Sequence, residues 1–243
     1  RMLSVPNFSE IWIIDHSTTT AEAAGHTGGL SGRGGDLLYR WGNPRAYRAG
    51  TGAARKLGFQ HDAHWMDVTL PPNHPDFGKI MVFNNRYGQD TSAVHTWIPV
   101  FDTANWEYPM MGNRWGPQDF DWTYLHPEPE LMNSPALSGA QRLENGNTLI
   151  CAGRPGYVFE ITPQNEIVWE YKNPMLAGEP VSQGDLLAVN DNAVFRMNRY
   201  PADFPAFAGK DLSPKGYIEL HPDTTFCPDV TAIEATPFEN DLL

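Results

Sequence analysis

Two histidines stand three residues apart in the segment GFQHDAHWMD, residues 58–67. If this segment is a helix, His61 and His64 share one face and could both bind one metal ion, as residues i and i+3 do. If it is a strand, the odd separation sends the two side chains to opposite faces, and a shared metal site is disfavoured. The chemistry open to the two histidines therefore depends on the elements that position them.

Charge and composition exclude two classes of function. The 243 residues carry 17 Lys and Arg against 29 Asp and Glu, a net charge of -12. That is the wrong sign for a protein that follows nucleic-acid phosphates or binds an anionic membrane surface. No apolar run approaches the roughly 20 residues that cross a bilayer, so we expect no membrane span. The 22 glycines, 21 prolines and 12% aromatic residues favour short strands and many turns.

One strand pattern recurs along the chain. FSEIWIIDHST and GGDLLYRWGNP, residues 8–18 and 34–44, match PGYVFEITPQNEIVWEYKNP, residues 155–174. A third copy with longer excursions runs through GKIMVFNNR, HTWIPVFDT and DFDWTYLHP. A module of about four short strands that recurs with insertions is typical of β-propeller blades, whose neighbours cover each other's faces. We therefore expect an all-β fold of the propeller type.

The repeats also align the candidate site residues. Two segments of one repeat, QHDAHWMD and GKIMVFNNR, align with LSGAQRLENGNTLICAGR of the next repeat. In that repeat Asn145-Gly146 predicts a hairpin turn. The alignment pairs His61 with Ser138, His64 with Gln141, and Arg86 with Arg154. Because the innermost strand of a propeller blade lines the central channel, His61 and Ser138 would lie near its mouth. A strand here also predicts that His61 and His64 point to opposite faces.

Other motifs point to ordinary structure. The glycine-rich segment 25–36 lacks the Gly-Lys-Ser/Thr ending of a phosphate loop and runs into a strand, so we expect an inter-strand loop. A Gly-x-Ser-x-Gly hydrolase motif is absent from the sequence. Six further histidines show no metal-ligand spacing: His16, His26, His74, His95, His126 and His221. We expect one strand, AVFRMNRY, within a partial last blade at residues 175–216.

The segments QHDAHW with GKIMVFNN, SGAQRLENGNTLICAG, VFEITPQNEIVWEY and GGDLLYRWGNP together resemble the arylsulfotransferase family of bacterial aryl-sulfate sulfotransferases. The resemblance covers most of residues 8–200. It implies a six-bladed β-propeller, of which this chain looks like the C-terminal part, covering the later blades. We expect residues 1–220 to form a partial propeller and residues 221–243 a C-terminal tail or strap.

The resemblance also implies an activity. The family moves a sulfuryl group from an aryl sulfate to a phenol without a nucleotide cofactor, and its members are usually periplasmic or secreted. The expected partners are these small molecules, together with other parts of the same protein or a second copy of it. In an exported protein Cys151 and Cys227 could pair as a disulfide, although sequence spacing does not give their distance.

The family's catalytic histidine lies in a Gln-His strand start, followed by an apolar strand that ends in Phe-Asp-Asn. Here the pattern falls on Gln60-His61 and on Phe83-Asn84-Asn85. A neutral His61 would attack sulfur to give a sulfohistidine, with ping-pong kinetics. The structural alternative is a histidine bonded to a neighbouring acid or to backbone at a strand start.

Cations and amide donors would hold the sulfate oxygens while charge shifts in the reaction. Arg86 and Arg154 are candidates on their own residue type, and structural ion pairs are the alternative for both. The remaining predicted substrate-binding residues are His64, Ser138 and Asn85.

One position departs from the family. The family carries Ser-Ser-Arg, whose arginine helps to bind the sulfate, where this chain has Ser4-Val5-Pro6. Proline supplies neither a charge nor a donor. Two hypotheses therefore stand: a sulfuryl-transfer enzyme with His61 as nucleophile, and a non-catalytic propeller that binds a partner or builds an extracellular assembly.

Overall fold

Short antiparallel strands dominate the computed structural model, which describes residues 1–68 and 70–225. The first sheet holds β1 (Met2–Val5), β2 (Glu10–Ile14) and β3 (Leu37–Trp41) in sequential order. A short helix, α1 (Thr20–Ala24), interrupts the connection between β2 and β3. The rest of that connection contains the glycine-rich segment, which is an inter-strand loop as its sequence predicts.

Two further sheets repeat the up-and-down order with four strands each. The next strands are β4 (His61–Trp65), β5 (Ile80–Gly88), β6 (Thr91–Trp97), β7 (Met110–Met111), β8 (Arg114–Trp115) and β9 (Trp122–Tyr124). The second sheet has the order β4-β5-β6-β9, with β7 and β8 forming a separate hairpin. After α2 (Pro129–Met132), the third sheet runs through β10 (Gly139–Arg142), β11 (Thr148–Ala152), β12 (Tyr157–Ile161) and β13 (Ile167–Lys172). The predicted turn at Asn145-Gly146 joins β10 to β11, and Gly146 has a φ of +86°.

The three sheets stack face to face through two apolar cores. On β5, Ile80 and Val82 join the core shared with the first sheet, while Met81 and Phe83 join the core shared with the third. Alternate residues of a strand point to opposite faces, so a strand that is covered on both sides reads as a continuous apolar run. IMVF is such a run, and all four side chains are fully buried. The central sheet is therefore fixed from both sides.

The chain after β13 contains little regular structure. A two-stranded sheet of β14 (Met175–Leu176) and β15 (Glu179–Pro180) is followed by a 3-10 turn at Pro205–Phe207. Other 3-10 turns lie at Pro6–Phe8, Pro44–Tyr47, Gly52–Ala54 and Met66–Val68. The predicted strand at residues 193–200 is wrong, because isolated backbone hydrogen bonds at Val194 and Phe195, together with side-chain bonds, hold this segment without forming a ladder. The amide of Gln141 donates to the carbonyl of Arg199 (3.0 Å) and accepts from its N–H (2.8 Å).

The all-β prediction is confirmed. Of the predicted tail, only residues 221–225 are described, and Cys227 lies outside the described residues, so its pairing with Cys151 stays a prediction. Cys151 itself is buried on β11. Within the described chain, no helix has the length and apolar character to cross a bilayer.

Candidate functional site

His61 begins β4, and an irregularity in that strand decides where it points. His61 pairs with Phe83 and His64 pairs with Met81, so two residues, Asp62 and Ala63, lie opposite the single residue between them. This is a β-bulge, in which one strand carries one extra residue. Asp62 takes the left-handed conformation that the bulge needs, with a φ of +55°. Aspartate is among the few non-glycine residues that tolerate it.

The bulge overturns the prediction that His61 and His64 point to opposite faces. Cross-strand partners share a face, and Phe83 and Met81 lie two apart on β5, so both histidines point toward the third sheet. Two strand positions separate them by about 7 Å. Among the described residues, His, Cys, Asp and Glu side chains form no group of three that could hold a metal ion.

The predicted equivalence of His61 with Ser138 is also off by one residue. Gly139 on β10 pairs with Cys151, as His61 pairs with Phe83 on the preceding sheet. Gly139 is thus the counterpart of His61, whereas Gln141, which pairs with Leu149, is the counterpart of His64 as the sequence predicts. The extra residue in β4 causes the shift.

Hydrogen bonding fixes the tautomer of His61. Nδ1 of the ring faces two acceptors, Oδ1 of Asn85 at 2.8 Å and the carbonyl of Phe59 at 3.1 Å. The Asn85 amide cannot be reversed, because its Nδ2 donates to the carbonyls of Ser134 (2.7 Å) and Leu137 (2.9 Å). Nδ1 therefore carries the proton, and the lone pair of the neutral ring is on Nε2. Within the described chain Nε2 has no recorded hydrogen-bond partner, and the side chain is half-buried.

Ser138 holds the loop that supports Asn85. Its hydroxyl donates to Oγ of Ser134 at 2.8 Å and accepts the N–H of Gly153 at 2.9 Å. Only 2% of Ser138 is exposed, and its φ is +82°. The predicted substrate-binding serine thus lies beneath the site, where its hydroxyl joins the loop to β11.

Arg86 and Arg154 reach the same network by different routes. The guanidinium of Arg86 lies 4.3 Å over the ring of Phe59, whose edge packs 5.5 Å from the ring of His61. The Nε of Arg86 donates to the carbonyl of Pro135 at 3.3 Å, and the rest of the side chain is exposed. This geometry leaves cationic N–H groups available near His61.

Arg154 is anchored through its backbone. Its N–H donates to Oγ of Ser134 at 2.9 Å, so it follows the loop that holds Asn85. The Nε of Arg154 is buried and has no hydrogen-bond partner among the described residues. A buried donor without a partner costs about 1–3 kcal/mol, and an anion is one group that would satisfy it.

His64 belongs to a second polar group around Asp62. Nδ1 of His64 donates to the backbone carbonyl of Asp62 at 2.9 Å, so its neutral form presents Nε2 as an acceptor. The carboxylate of Asp62 pairs with Arg196 at 2.8 Å and accepts the N–H of Ala140 at 3.2 Å. Burial raises the pKa of Asp62, although His64 and Arg196 act in the opposite direction.

Gln60 ties the start of β4 to the first sheet. Its Nε2 donates to the carbonyl of Glu10 at 2.9 Å and to the hydroxyl of Ser4 at 3.3 Å. Pro6, at the position where the resemblance leads us to expect arginine, begins the turn between β1 and β2. Gln60-His61, which resembles the family motif, and Pro6, which departs from the family, therefore lie close together in the fold.

Three residues of the site were not predicted from the sequence. Ser134 connects Asn85, Ser138 and Arg154, and Phe59 connects His61 to Arg86, yet neither belongs to a recognisable motif. The bulge at Asp62 carried one weak signal, an aspartate within an apparent strand. Two cavities of the described chain lie elsewhere, and His61 lines neither.

The chain matches no family model, no curated protein and no solved structure.

Proposed function

We propose that this protein is an aryl-sulfate sulfotransferase that uses Nε2 of His61 as its nucleophile. The observation that carries the proposal is the fixed tautomer: both groups facing Nδ1 are acceptors, so the nucleophilic lone pair lies on the other ring nitrogen. A neutral imidazole whose second nitrogen is oriented by a hydrogen bond is the arrangement that nucleophilic and acid–base catalysis requires.

The reaction proceeds in two balanced steps. Nε2 of His61 attacks the sulfur of the aryl sulfate, the N–S bond forms, and the S–O bond breaks to release a phenolate. The ring then carries a sulfuryl group on Nε2 and a proton on Nδ1, and the carbonyl oxygens of Asn85 and Phe59 stabilise the positive charge that develops there. The oxygen of an acceptor phenol next attacks sulfur, and the bond to Nε2 breaks.

Three neighbouring groups fit roles around the sulfuryl oxygens and the phenol. Arg86 and Arg154 would bind the anionic oxygens, since one presents exposed N–H groups and the other a buried donor without a partner. His64 shares the face of His61, and its Nε2 is an acceptor that could take the proton of the acceptor phenol. Ser138 and Asn85 act beneath the ring as positioning residues.

A propeller arrangement is part of the proposal, with residues 1–220 forming the later blades of an exported protein. Successive sheets stack face to face in the same relation, and β10 neighbours β5 much as β4 neighbours β1. The three strands of the first sheet then correspond to strands two to four of the other sheets. This regular relation between neighbouring antiparallel sheets supports blades around a common axis.

The alternative is a non-catalytic propeller that acts as a binding or structural module. Two observations favour it: His61 lines neither of the two cavities described above, and Pro6 replaces the sulfate-binding arginine that the resemblance leads us to expect. On this alternative the bond from His61 to Asn85 only ties β4 to β5.

The test is transfer from an aryl sulfate with a coloured phenol to an acceptor phenol, using His61→Ala with the exposed His16→Ala as the matched control. We expect acceptor-dependent colour release from the wild type and the control. His61→Ala should lose at least about 10³-fold in rate, as expected on removing a nucleophile. Mass analysis of a rapidly quenched reaction should find one sulfuryl group on the peptide that contains His61.

Release of colour at the wild-type rate from folded His61→Ala would exclude the mechanism. No release from folded wild type with several donors and acceptors would favour the binding module.

A further inference from the structure

A cavity of about 330 Å³ lies beside the outer strands of the first two sheets, away from His61. It is lined by the end of β3 and the turns after it, and by the β7–β8 hairpin with the loop that follows. The aromatic lining residues are Trp41, Tyr47 and Trp115, and Pro44, Pro117 and Met111 add apolar surface. A cavity of this volume and composition suits a small ligand with one or two rings.

The aromatic walls are held in place. Trp41 is 3% exposed, stacks on Trp97 with ring centroids 4.3 Å apart, and donates from Nε1 to the carbonyl of Pro117 at 2.7 Å. Tyr47 and Trp115 pack edge to face at 5.2 Å. Rings that are already fixed lose little conformational entropy when a planar ligand packs against them.

The polar part of the lining is positively charged. Lys56 and Arg114 line the cavity together with Gln118, and the lining contains no carboxylate. In a chain of net charge -12, two cations without an acid among twelve lining residues give this cavity a local field that attracts anions. The charge of the lining therefore selects the class of ligand.

Both cations can reach a ligand. Nε of Arg114 donates to the carbonyl of Ala49 at 2.5 Å, which fixes the guanidinium while its terminal nitrogens have no recorded partner in the described chain. Lys56 pairs with Asp119 at 3.0 Å, but the Asp119 side chain is 69% exposed, so the pair is an open surface contact that contributes little.

We propose that this cavity binds a small planar aromatic anion, an aromatic ring that bears a carboxylate or sulfonate. The ring lies against Tyr47 and Trp115, and the acid group bonds to Arg114 and Lys56. Neither His61 nor Asn85 is among the residues that line this cavity, so the site is separate from the proposed transfer site and does not depend on it.

The test measures binding of 2-naphthoate by isothermal titration calorimetry, with 2-naphthamide as the neutral analogue and cyclohexanecarboxylate as the non-aromatic anion. We expect 2-naphthoate to bind at least tenfold more tightly than either analogue. The double variant Lys56→Met/Arg114→Met keeps the side-chain stems and removes both charges, and it should weaken 2-naphthoate at least tenfold while changing the affinity for 2-naphthamide less than threefold.

Two controls locate the site. Arg33→Met removes an exposed arginine outside the lining, and His61→Ala alters the proposed transfer site; both should bind 2-naphthoate as the wild type does. Equal affinity for 2-naphthoate in the wild type and the folded double variant would overturn the proposal, as would loss of binding in His61→Ala. No binding of 2-naphthoate to the folded wild type would overturn it too. Each of these results is independent of whether the protein transfers sulfuryl groups.

Discussion

Two adjacent asparagines in the middle of β5, Asn84 and Asn85, each bind one histidine, with opposite results. Asn84 points toward the first sheet, where its Nδ2 lies 3.2 Å from Nε2 of His95. Nδ1 of His95 donates to the hydroxyl of Thr123 at 2.8 Å, and Phe120 stacks on the ring at 3.6 Å. Both nitrogens are satisfied, and His95 is fully buried.

Asn85 points the other way and offers His61 its oxygen instead of its nitrogen. One ring nitrogen is then held as a donor, and the other keeps an open lone pair at a half-buried position. The two histidines have the same tautomer, yet only the second has a nitrogen left for chemistry. The orientation of a neighbouring amide thus separates a packing histidine from a candidate nucleophile, a distinction that residue type does not give.

The buried environment of His95 predicts that the folding stability of the protein falls at low pH. Burial lowers the pKa of His95 to about 3, and a second ring proton would face the N–H donor of Asn84. Because the unfolded chain takes up this proton near pH 6.5 and the folded chain does not, stability falls as the pH drops from 6.5 toward 3. The stability lost over the whole range from pH 6.5 to pH 3 is on the order of 5 kcal/mol, of which about 2 kcal/mol is lost between pH 7 and pH 5.

Urea unfolding of the wild type and of His95→Gln measures this loss at the two pH values. Glutamine does not titrate and keeps an acceptor for Asn84, so the variant should lose about 2 kcal/mol less than the wild type between pH 7 and pH 5. Its lower stability at pH 7, caused by the lost stacking on Phe120, cancels in this difference. Equal pH slopes for the two proteins would contradict the assignment.

Truncating the two asparagines tests the comparison directly. Each side chain is buried and makes three hydrogen bonds, so Asn84→Ala and Asn85→Ala should each lose about 2–3 kcal/mol of stability. Only Asn85→Ala removes the shorter of the two hydrogen bonds at Nδ1 of His61, leaving the carbonyl of Phe59 as its one acceptor. We expect it to slow sulfuryl transfer about 10²-fold, while Asn84→Ala stays within threefold of the wild-type rate.

The tautomer can be measured without activity. Nitrogen-15 NMR of the imidazole should find the proton of His61 on Nδ1 in the wild type and in Asn84→Ala, and a mixture of tautomers in Asn85→Ala. If both variants keep the wild-type pattern, the carbonyl of Phe59 is enough to fix the tautomer and the Asn85 bond is not required for it.

Patterns in the sequence predicted most of the strands, whereas the roles of the site residues stay predictions. The IMVF run and the turn at Asn145-Gly146 could be read from spacing, because alternation and turn chemistry are local properties. The side of the sheet toward which His61 and His64 point could not be predicted in this way. One extra residue at Asp62 reverses the alternation of side chains along β4. The left-handed backbone of Asp62 depends on tertiary packing, which local sequence patterns do not show.

The network beneath His61 was beyond sequence reasoning for another reason. Ser134 lies 49 residues from Asn85 and meets it only because the second and third sheets stack, so no spacing rule brings the two together. The segment at residues 193–200 has a strand-like composition, but side-chain hydrogen bonds from Gln141 and two isolated backbone bonds, at Val194 and Phe195, hold it in place of a ladder.

The last prediction, which has the smallest expected effect, concerns anion binding by Arg86 beside Nε2 of His61. Its guanidinium lies over Phe59, beside His61, and most of its N–H groups face solvent. Arg86→Met keeps the stem on the ring and removes the charge, so we expect KM for the aryl sulfate to rise about tenfold with kcat within threefold, since an exposed cation binds substrate and transition state alike.

The matched control is Arg48→Met, at an exposed arginine that contacts no residue of the network around His61 in the described chain, and its kinetic constants should equal those of the wild type. The KM difference should shrink as salt rises from 0.01 to 0.5 M, because screening weakens an exposed charge more than a buried one. A fall in kcat at constant KM would instead show that Arg86 stabilises the transition state more than it stabilises bound substrate. Unchanged constants would leave it a structural partner of Phe59, and the anion would then bind through the buried Nε of Arg154.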